Sequence, residues 1–437
     1  MDLNQASKNN KQIQPLLDFM NVSPCNFLAI NHIKQLLNEA GFQEKKLDEP
    51  LKVKNGDKFF VTKNDSAIFA ITVGKKKLNE TGVKIISAHS DSPGFRVKPH
   101  AEIKTEGGII KLNTEVYGGP ILYTWFDRPL SLAGRVILRG NDALHPITKL
   151  VKIDRPLLTI PHLAIHFNRA VNEGNKLSKQ KDMLPIIAKV NNALEADNLL
   201  LNVVAQELEV KMEDILDFDL FLYDVQPACT FGLNNEFVSS GRLDDLSMAQ
   251  AAIEAVTNVT DTESTCVAAI FDNEETGSGT KQGAASPVLA NVLMRLNEAQ
   301  GGNYDTFCQA IAKSFMISAD NAHAFHPNYP EKYDPTNHPV LGGGPCIKIN
   351  ANCKYMSDAH SAAIFRSLCE DAGVPFQYFV NHSDVAGGST LGNIFTGQVD
   401  IEGVDVGSPL LAMHSARETA SVADHLNMIK VFKQFFA

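Results

Sequence analysis

The chain has 437 residues, which exceeds the usual length of one domain and predicts two or three units of about 150 residues. Hydrophobic residues make up 44% of the sequence and charged residues 21%, a composition typical of folded globular proteins rather than disordered or membrane-spanning ones. The formal net charge of −10 repels nucleic acid, and the Lys75-Lys76-Lys77 run is too short to form a basic binding surface. We therefore exclude a nucleic-acid partner.

Two features predict a cytoplasmic protein that does not enter a membrane. The first ten residues lack the apolar core of a secretory signal, and no apolar run approaches the roughly 18 residues that cross a bilayer. The seven cysteines are odd in number and include no CxxC pair, so we expect reduced thiols, most of them buried.

The amino-terminal part predicts a helix followed by strands. Apolar residues recur with helical spacing over 26–40, and this pattern ends near Gly41. Alternation over 58–73 indicates strands, and the segment Lys84-Ile-Ile-Ser-Ala-His89 predicts a buried strand that ends on His89. Because α/β proteins collect ligands and catalytic groups at the carboxyl ends of parallel strands, His89 is a candidate functional residue.

Residues 94–235 differ from the sequence on either side. Short strand-like runs are separated there by turn-forming pairs such as Gly107-Gly108 and Gly118-Gly119. We predict that 94–235 is an inserted, largely β domain, and that 1–93 and 236–437 together form one discontinuous catalytic domain.

Helices and strands alternate in the last two hundred residues. The predicted helices are 243–256, 356–373 and 423–435, and the predicted strands are 265–272, 314–320, 346–350 and 375–380. This alternation predicts an α/β fold in which a mostly parallel central sheet is flanked by helices.

Side chains of metal-ligand type recur at the predicted strand ends and adjoining turns. They are His89, Asp91, Asp244, Asp245, Asp272, Glu274, Glu275, Asp320 and His414. Two imidazoles with several carboxylates suit a pair of divalent cations, because one carboxylate can bridge two ions and offset their charge. The set predicts a two-metal hydrolase that uses zinc, manganese or cobalt.

Glu274 and Glu275 directly follow an apolar strand and can point in different directions. We assign Glu275 to a metal and Glu274, left unliganded beside the reacting water, to general-base catalysis. A solvated acidic turn is the alternative interpretation.

The other ligand candidates also have ordinary explanations. Asp91, two residues after His89, is positioned to hold the far ring nitrogen of that histidine, although a packed core histidine would show the same pattern. Asp244 begins a predicted helix, where Asp is a common N-cap.

Five segments in this order resemble the M18 metallopeptidases, the aspartyl aminopeptidases, over nearly the whole chain. They are Ser-Ala-His89-Ser-Asp91-Ser-Pro, Arg242-Leu-Asp244, Asp272-Asn-Glu274-Glu275-x-Gly-Ser, Ser318-Ala-Asp320-x-Ala-His323-Ala-x-His326-Pro-Asn and Met413-His414-Ser415-x-Arg-Glu. The resemblance implies that Asp244 bridges two metals, most simply two zinc ions. His89 and Asp320 would complete one site, and Glu275 and His414 the other, with Glu274 as the general base.

The resemblance also implies a substrate and an assembly. The substrate would be a peptide with a free amino terminus and an acidic first residue, whose side chain pairs with Lys348; an exposed strand lysine is the alternative. His323 would lie near the substrate. His166, or alternatively His162, would reach a neighbouring subunit's active site from the inserted domain, although both could be core histidines. The implied assembly is a tetrahedral dodecamer built through that domain.

Three other functions remain compatible with parts of the sequence. A broad-specificity aminopeptidase would favour neutral first residues, and a non-catalytic self-assembling scaffold or cargo protein would keep the fold without turnover. A two-metal phosphoesterase would use the same ligand types, but the sequence has no basic cluster near the motifs to hold phosphate.

Overall fold

A computed structural model describes residues 3–190 and 198–437. The α-helices within these ranges are α1 (Leu3–Val22), α2 (Asn26–Glu39), α3 (Leu78–Thr81), α4 (Leu199–Leu208), α5 (Leu243–Thr257), α6 (Val288–Ala299), α7 (Tyr304–Ala312), α8 (Ala359–Asp371), α9 (Leu391–Phe395) and α10 (Val422–Phe436). The first ten strands are β1 (Gln43–Glu44), β2 (Lys58–Lys63), β3 (Ala67–Thr72), β4 (Val83–His89), β5 (Gly94–Lys104), β6 (Ile109–Tyr117), β7 (Leu130–Leu138), β8 (Ile147–Lys152), β9 (Ile186–Lys189) and β10 (Ile215–Asp224). The remaining strands are β11 (Cys229–Phe231), β12 (Phe237–Ser240), β13 (Thr265–Phe271), β14 (Phe315–Ala319), β15 (Ala322–His323), β16 (Cys346–Lys348), β17 (Gln377–Phe379), β18 (Glu402–Gly407), β19 (Pro409–Leu411) and β20 (Glu418–Ser421).

The largest sheet has nine strands in the order β1-β2-β3-β13-β4-β14-β18-β16-β17. Five of its eight neighbouring pairs are parallel, including the central run β13-β4-β14-β18. One face packs on α1, α2, α5, α8 and α10, and the other on α6, α7 and α9. The predicted α/β fold with a mostly parallel central sheet is confirmed.

Side chains of β4 show how the sequence places this sheet in the core. Ile86 and Ala88 point to the face covered by α5 and α10, whereas Val83 and Ile85 point to the face covered by α6 and α7. A strand buried on both faces has no polar side, so the apolar residues of β4 do not alternate regularly with polar ones.

A second sheet contains six strands in the order β8-β7-β10-β5-β6-β9, all antiparallel. Every strand of this sheet lies between Gly94 and Asp224, and helix α4 packs on it. Strand β11 lies before the predicted domain boundary at residue 235 and strand β12 lies after it, and the two strands pair. This hairpin therefore crosses the boundary.

A third sheet, β11-β12-β20-β19-β15, joins distant parts of the chain. The parallel pairing of β15 with β19 brings the segment after Asp320 beside the segment before His414. This pairing was not predicted, and neither were helices α1, α6 and α7.

No helix among the described residues is long and apolar enough to cross a membrane. All seven cysteines lie in the described ranges, and none of them forms a disulfide. Four are buried, namely Cys25, Cys266, Cys346 and Cys369.

Candidate active site

The carboxyl ends of the central parallel strands bring the first ligand candidates together. His89, the last residue of β4, is in register with Phe271, the last residue of β13. Glu274 and Glu275 follow β13 within four residues, and Asp320 follows β14 on the other side of β4. Three separate segments therefore converge at one edge of the sheet, as the position of His89 predicted.

Asp244 lies between the two imidazoles. Its Oδ1 is 3.9 Å from Nε2 of His89, and its Oδ2 is 3.4 Å from Nε2 of His414. Asp320 Oδ1 lies 3.9 Å from the same nitrogen of His89, and Glu275 Oε1 lies 3.4 Å from that of His414. The two oxygens of Asp244 thus face two different ligand pairs.

Asp244 does not cap helix α5. The backbone torsions of Asp244 and Asp245 are not helical, and the start of the helix carries no side-chain capping bond. The side chain of Asp244 is 3% exposed and points at the imidazoles instead. The N-cap interpretation is therefore wrong.

The residues present fit divalent cations. Asp244 Oδ1 and Glu275 Oε1 are buried and have no hydrogen-bond partner among the described residues, although unpaired buried oxygens are costly. Burial and neighbouring carboxylates raise the pKa of Glu275 well above its ordinary value and the pKa of Glu274 to about 8. A cluster of acids with imidazole Nε2 atoms at its centre is the donor set that zinc-type ions neutralise.

Both imidazoles are held so that Nε2 faces the cluster. The Nδ1 of His89 lies 3.0 Å from the carbonyl oxygen of Asp91 and 3.3 Å from its Oδ1. The Nδ1 of His414 lies 3.0 Å from the carbonyl oxygen of Gly119. Because a carbonyl oxygen only accepts, each Nδ1 carries a proton, and Nε2 is the ring nitrogen left to face a metal. The rings of His89 and His414 are thus oriented as candidate ligands, and His89 is also buried, at 1% exposed.

The carboxylate of Asp91 also shapes the acidic turn. The backbone N–H of Glu274 donates to its Oδ1 at 3.1 Å, and the N–H of Glu275 donates to its Oδ2 at 3.2 Å. Asp91 therefore contacts His89, the candidate base and a candidate ligand at the same time.

Glu418 and Asn321 support the cluster but had no role in the sequence prediction, and Asp245, there only one of the ligand candidates, supports it too. Glu418, 1% exposed, accepts the backbone N–H of His414 at 2.8 Å and that of Asp244 at 3.2 Å, and burial raises its pKa to about 8. Asp245 accepts the N–H of His89 at 3.1 Å, and Asn321 donates to its other oxygen at 3.1 Å. Glu418 ends the Met413 motif, which was the available signal.

Beside the cluster is an open cleft of about 420 Å³. It is lined by Glu274, His323, Lys348, Tyr355, Phe379 and the turn 388–390, together with the ligand candidates Asp244, Glu275, Asp320 and His414. The ring of His323 lies 5.8 Å from that of Phe379. The cleft places the candidate base and both candidate substrate-binding residues around one space.

Lys348 is 3% exposed, so the interpretation as an exposed strand lysine is wrong. Its Nζ donates to Oδ2 of Asp320 at 3.1 Å and lies 5.6 Å from the ring centre of Tyr355. Burial alone would lower the pKa of Lys348, but the nearby Asp320 and Tyr355 outweigh it and raise the pKa. The ammonium therefore stays charged inside the cleft.

His162 and His166 are not part of this cleft within one chain. His166 is exposed, and His162 is half-buried against the ring of Phe126, at 4.4 Å between centres. Neither is a core histidine, so that alternative is wrong.

Residues 19–436 match the model of the family described as aminopeptidase I zinc metalloprotease (M18). The chain belongs to the M18 metallopeptidase family. It is 52% identical over 421 residues to a probable M18 family aminopeptidase 2 of Clostridium novyi, covering 96% of this chain and 97% of that one. The corresponding protein of Pseudomonas aeruginosa is 42% identical over 426 residues, covering 97% of each chain.

Solved structures show the same fold. A chain in the cryo-EM structure of the Ape4 and Nbr1 complex has a TM-score of 0.94 at 35% identity, over 99% of this chain and 86% of that one. The S. cerevisiae mApe1 dodecamer has a TM-score of 0.86 at 26% identity, over 98% and 97% of the two chains. The M18 protein is accordingly a metallo-aminopeptidase, which excludes the phosphoesterase and the non-catalytic scaffold.

Proposed function

We propose that the enzyme holds two divalent ions, most simply zinc, with manganese and cobalt as alternatives. His89, Asp244 and Asp320 would hold one ion, and Asp244, Glu275 and His414 the other. The observation that carries this proposal is the carboxylate of Asp244, whose two oxygens each lie within 4 Å of a different imidazole. Within each of these two sets of side chains, the ligand atoms lie within 4.8 Å of one another, which is close enough to hold one ion.

We propose Glu274 as the general base of peptide hydrolysis. When bound, the two cations lower the pKa of a water and polarise the scissile carbonyl. Glu274 would accept the proton of the attacking water and donate it to the leaving amine. Its backbone is fixed by Asp91, while its half-buried side chain lines the cleft. Asp91 would act by holding His89 and this turn in place.

We propose that Lys348 selects peptides whose first residue is Asp or Glu, with His323 beside the substrate. The overall charge of −10 repels acidic peptides at long range, so the preference must come from a local partner. Lys348 is a buried cation on the cleft wall, where a substrate carboxylate would find little competing water.

Replacing Lys348 by Met should remove the preference for acidic first residues. We expect wild-type enzyme to hydrolyse Asp- and Glu-capped chromogenic amides faster than the Leu-capped amide, and K348M to lower that ratio of kcat/KM by about 10- to 100-fold, as the loss of one buried charge pair predicts. The ratio isolates substrate choice, because any disturbance of Asp320 slows all three substrates.

Lys354→Met is the matched control, since Lys354 is an exposed lysine six residues further along the chain. It should leave the ratio unchanged. A wild-type preference for the Leu-capped amide would instead support the broad-specificity aminopeptidase and remove Lys348 from this role.

We propose that the enzyme is a homo-oligomer, a tetrahedral dodecamer built through residues 94–235, as the mApe1 dodecamer suggests. The exposed side chains Leu163, Ile165 and Phe167 support an interface there, and they flank His166. His166, with His162 as the alternative, would act in the neighbouring subunit's active site.

Light scattering on the purified enzyme should give the mass of twelve chains. The mass of a single chain would contradict both the assembly and the role of His166.

We also propose that residues 1–93 and 236–437 form one domain and that residues 94–235 form the insert, supported by the six-stranded sheet. The cytoplasmic location stays a prediction from the sequence, which cell fractionation tests.

A further inference from the structure

Residues 117–121, which begin at the last residue of strand β6, contact both halves of the candidate metal site. The carbonyl oxygen of Gly119 accepts Nδ1–H of His414 at 3.0 Å, and the N–H of Ile121 donates to the carbonyl oxygen of His414 at 2.9 Å. A Cβ added to Gly118 would lie 3.2 Å from the Cβ of Glu275. The 117–121 segment therefore packs directly on the residues of the His414 site.

Tyr117, the first residue of this segment, contacts Asp91 beside the His89 site. Its hydroxyl donates to Oδ2 of Asp91 at 2.7 Å, and the amide of Asn273 donates to the hydroxyl at 2.8 Å. The ring is seated edge-on against Phe221, 5.8 Å between centres. Asp91 is the residue that contacts Nδ1 of His89 and the backbone of Glu274 and Glu275.

We propose that Tyr117 is a positioning residue of the metal centre that acts through Asp91. Together with Gly119, it makes the six-stranded sheet the support of both imidazole ligands, although it contributes no candidate ligand itself. The inference rests on the two-metal site proposed above and goes beyond it by assigning the orientation of that site to the predicted insert.

The hydrogen bonds of Asp91 explain how the Tyr117 hydroxyl can affect the position of His89. Its Oδ1 receives Glu274 N–H and lies 3.3 Å from Nδ1 of His89, while its Oδ2 receives Glu275 N–H and the Tyr117 hydroxyl. Burial, with the nearby Asp91, raises the pKa of Tyr117, so the hydroxyl keeps its proton at neutral pH. Without that donor, the one bond to Oδ2 that remains among the described residues is the Glu275 N–H at 3.2 Å, and the carboxylate is held less firmly against His89.

Tyr117→Phe tests the proposal, because it removes one oxygen atom and leaves the ring against Phe221. We expect zinc affinity, measured by titrating metal-free protein, to fall roughly tenfold, the lower end of the effect of losing an outer partner of a metal ligand. We expect kcat to fall with little change in KM, because the displaced groups are His89 and the base rather than the substrate pocket.

Tyr223→Phe is the matched control. Tyr223 is also buried in the six-stranded sheet, and its hydroxyl donates to the carbonyl oxygen of Ile153 at 2.8 Å, away from the metal cluster. It should lose a buried hydrogen bond but keep wild-type zinc affinity. An equal loss of affinity in Y223F would show a general effect of such bonds and overturn the role of Tyr117.

A double variant tests whether the effect passes through Asp91, and it serves even if Y117F is partly destabilised. Y117F/D91N should lose no more zinc affinity than D91N alone, since both changes break one chain of contacts. Additive losses would overturn the proposal, as would wild-type affinity in Y117F. Wild-type protein that binds fewer than two ions would overturn the two-metal site and this inference with it, whereas two ions with an unaffected Y117F would overturn this inference alone.

Discussion

Glu274→Gln should abolish most turnover while leaving the metal content unchanged. The amide keeps the size of the side chain but cannot accept a proton from water, and general-base catalysis contributes about 10²- to 10⁴-fold to the rate. Glu274 makes its structural contact with Asp91 through the backbone N–H, which the substitution retains. We therefore expect kcat to fall within that range, with two ions still bound and the assembly intact.

Glu263→Gln is the control for this experiment. Glu263 is an exposed carboxylate that pairs with Lys76 on the surface, so its loss should leave kcat and metal content at wild-type values. Wild-type turnover in E274Q would refute Glu274 as the base. Loss of metal in E274Q would show that Glu274 is a ligand instead.

Asp244→Asn should release at least one ion and lower activity by about a thousandfold, since Lewis-acid stabilisation of several kcal/mol is lost. An asparagine offers one oxygen and one NH₂ group, so it cannot present an oxygen ligand to both of the proposed ions. Elemental analysis of the dialysed variant against wild type measures the loss directly.

Asp424→Asn is the matched control for D244N. Asp424 is equally buried and accepts two backbone N–H groups, from Gly342 and Gly344, but contacts no candidate ligand. We expect D424N to retain two ions. Two tightly held ions in D244N would contradict the bridging role.

The sequence predicts the catalytic sheet well because its signal is local. The strand-like segments at 84–89 and 265–272 mark β4 and β13, and parallel neighbours end at the same edge. The close approach of His89 and Glu275 therefore follows once these two strands pair in parallel. The family resemblance added the proposed assignment of each candidate ligand to one of two ions.

Other parts of the site depend on backbone contacts between distant residues, which residue types in the sequence do not reveal. His414 is oriented by the carbonyl oxygen of Gly119, 295 positions away in the chain. In the sequence, Gly118-Gly119 indicated only a turn, because every residue has a carbonyl group. Glu418 likewise acts on backbone N–H groups of residues far apart in sequence.

Two ambiguities were resolved only by tertiary structure. Asp244 stands where an N-cap is common, yet its torsions turn the carboxylate toward the imidazoles. Lys348 lies on a strand, and the local sequence pattern did not show that its side chain is buried. The charge can be buried because it pairs with Asp320, which is distant in the sequence.

Anomalous diffraction at the zinc absorption edge, from crystals of the zinc-loaded enzyme, tests the central claim most directly. We predict two peaks per chain, about 3.5–4 Å apart, on either side of the Asp244 carboxylate, one beside Nε2 of His89 and the other beside Nε2 of His414. A single peak, or peaks away from Asp244, would contradict the account.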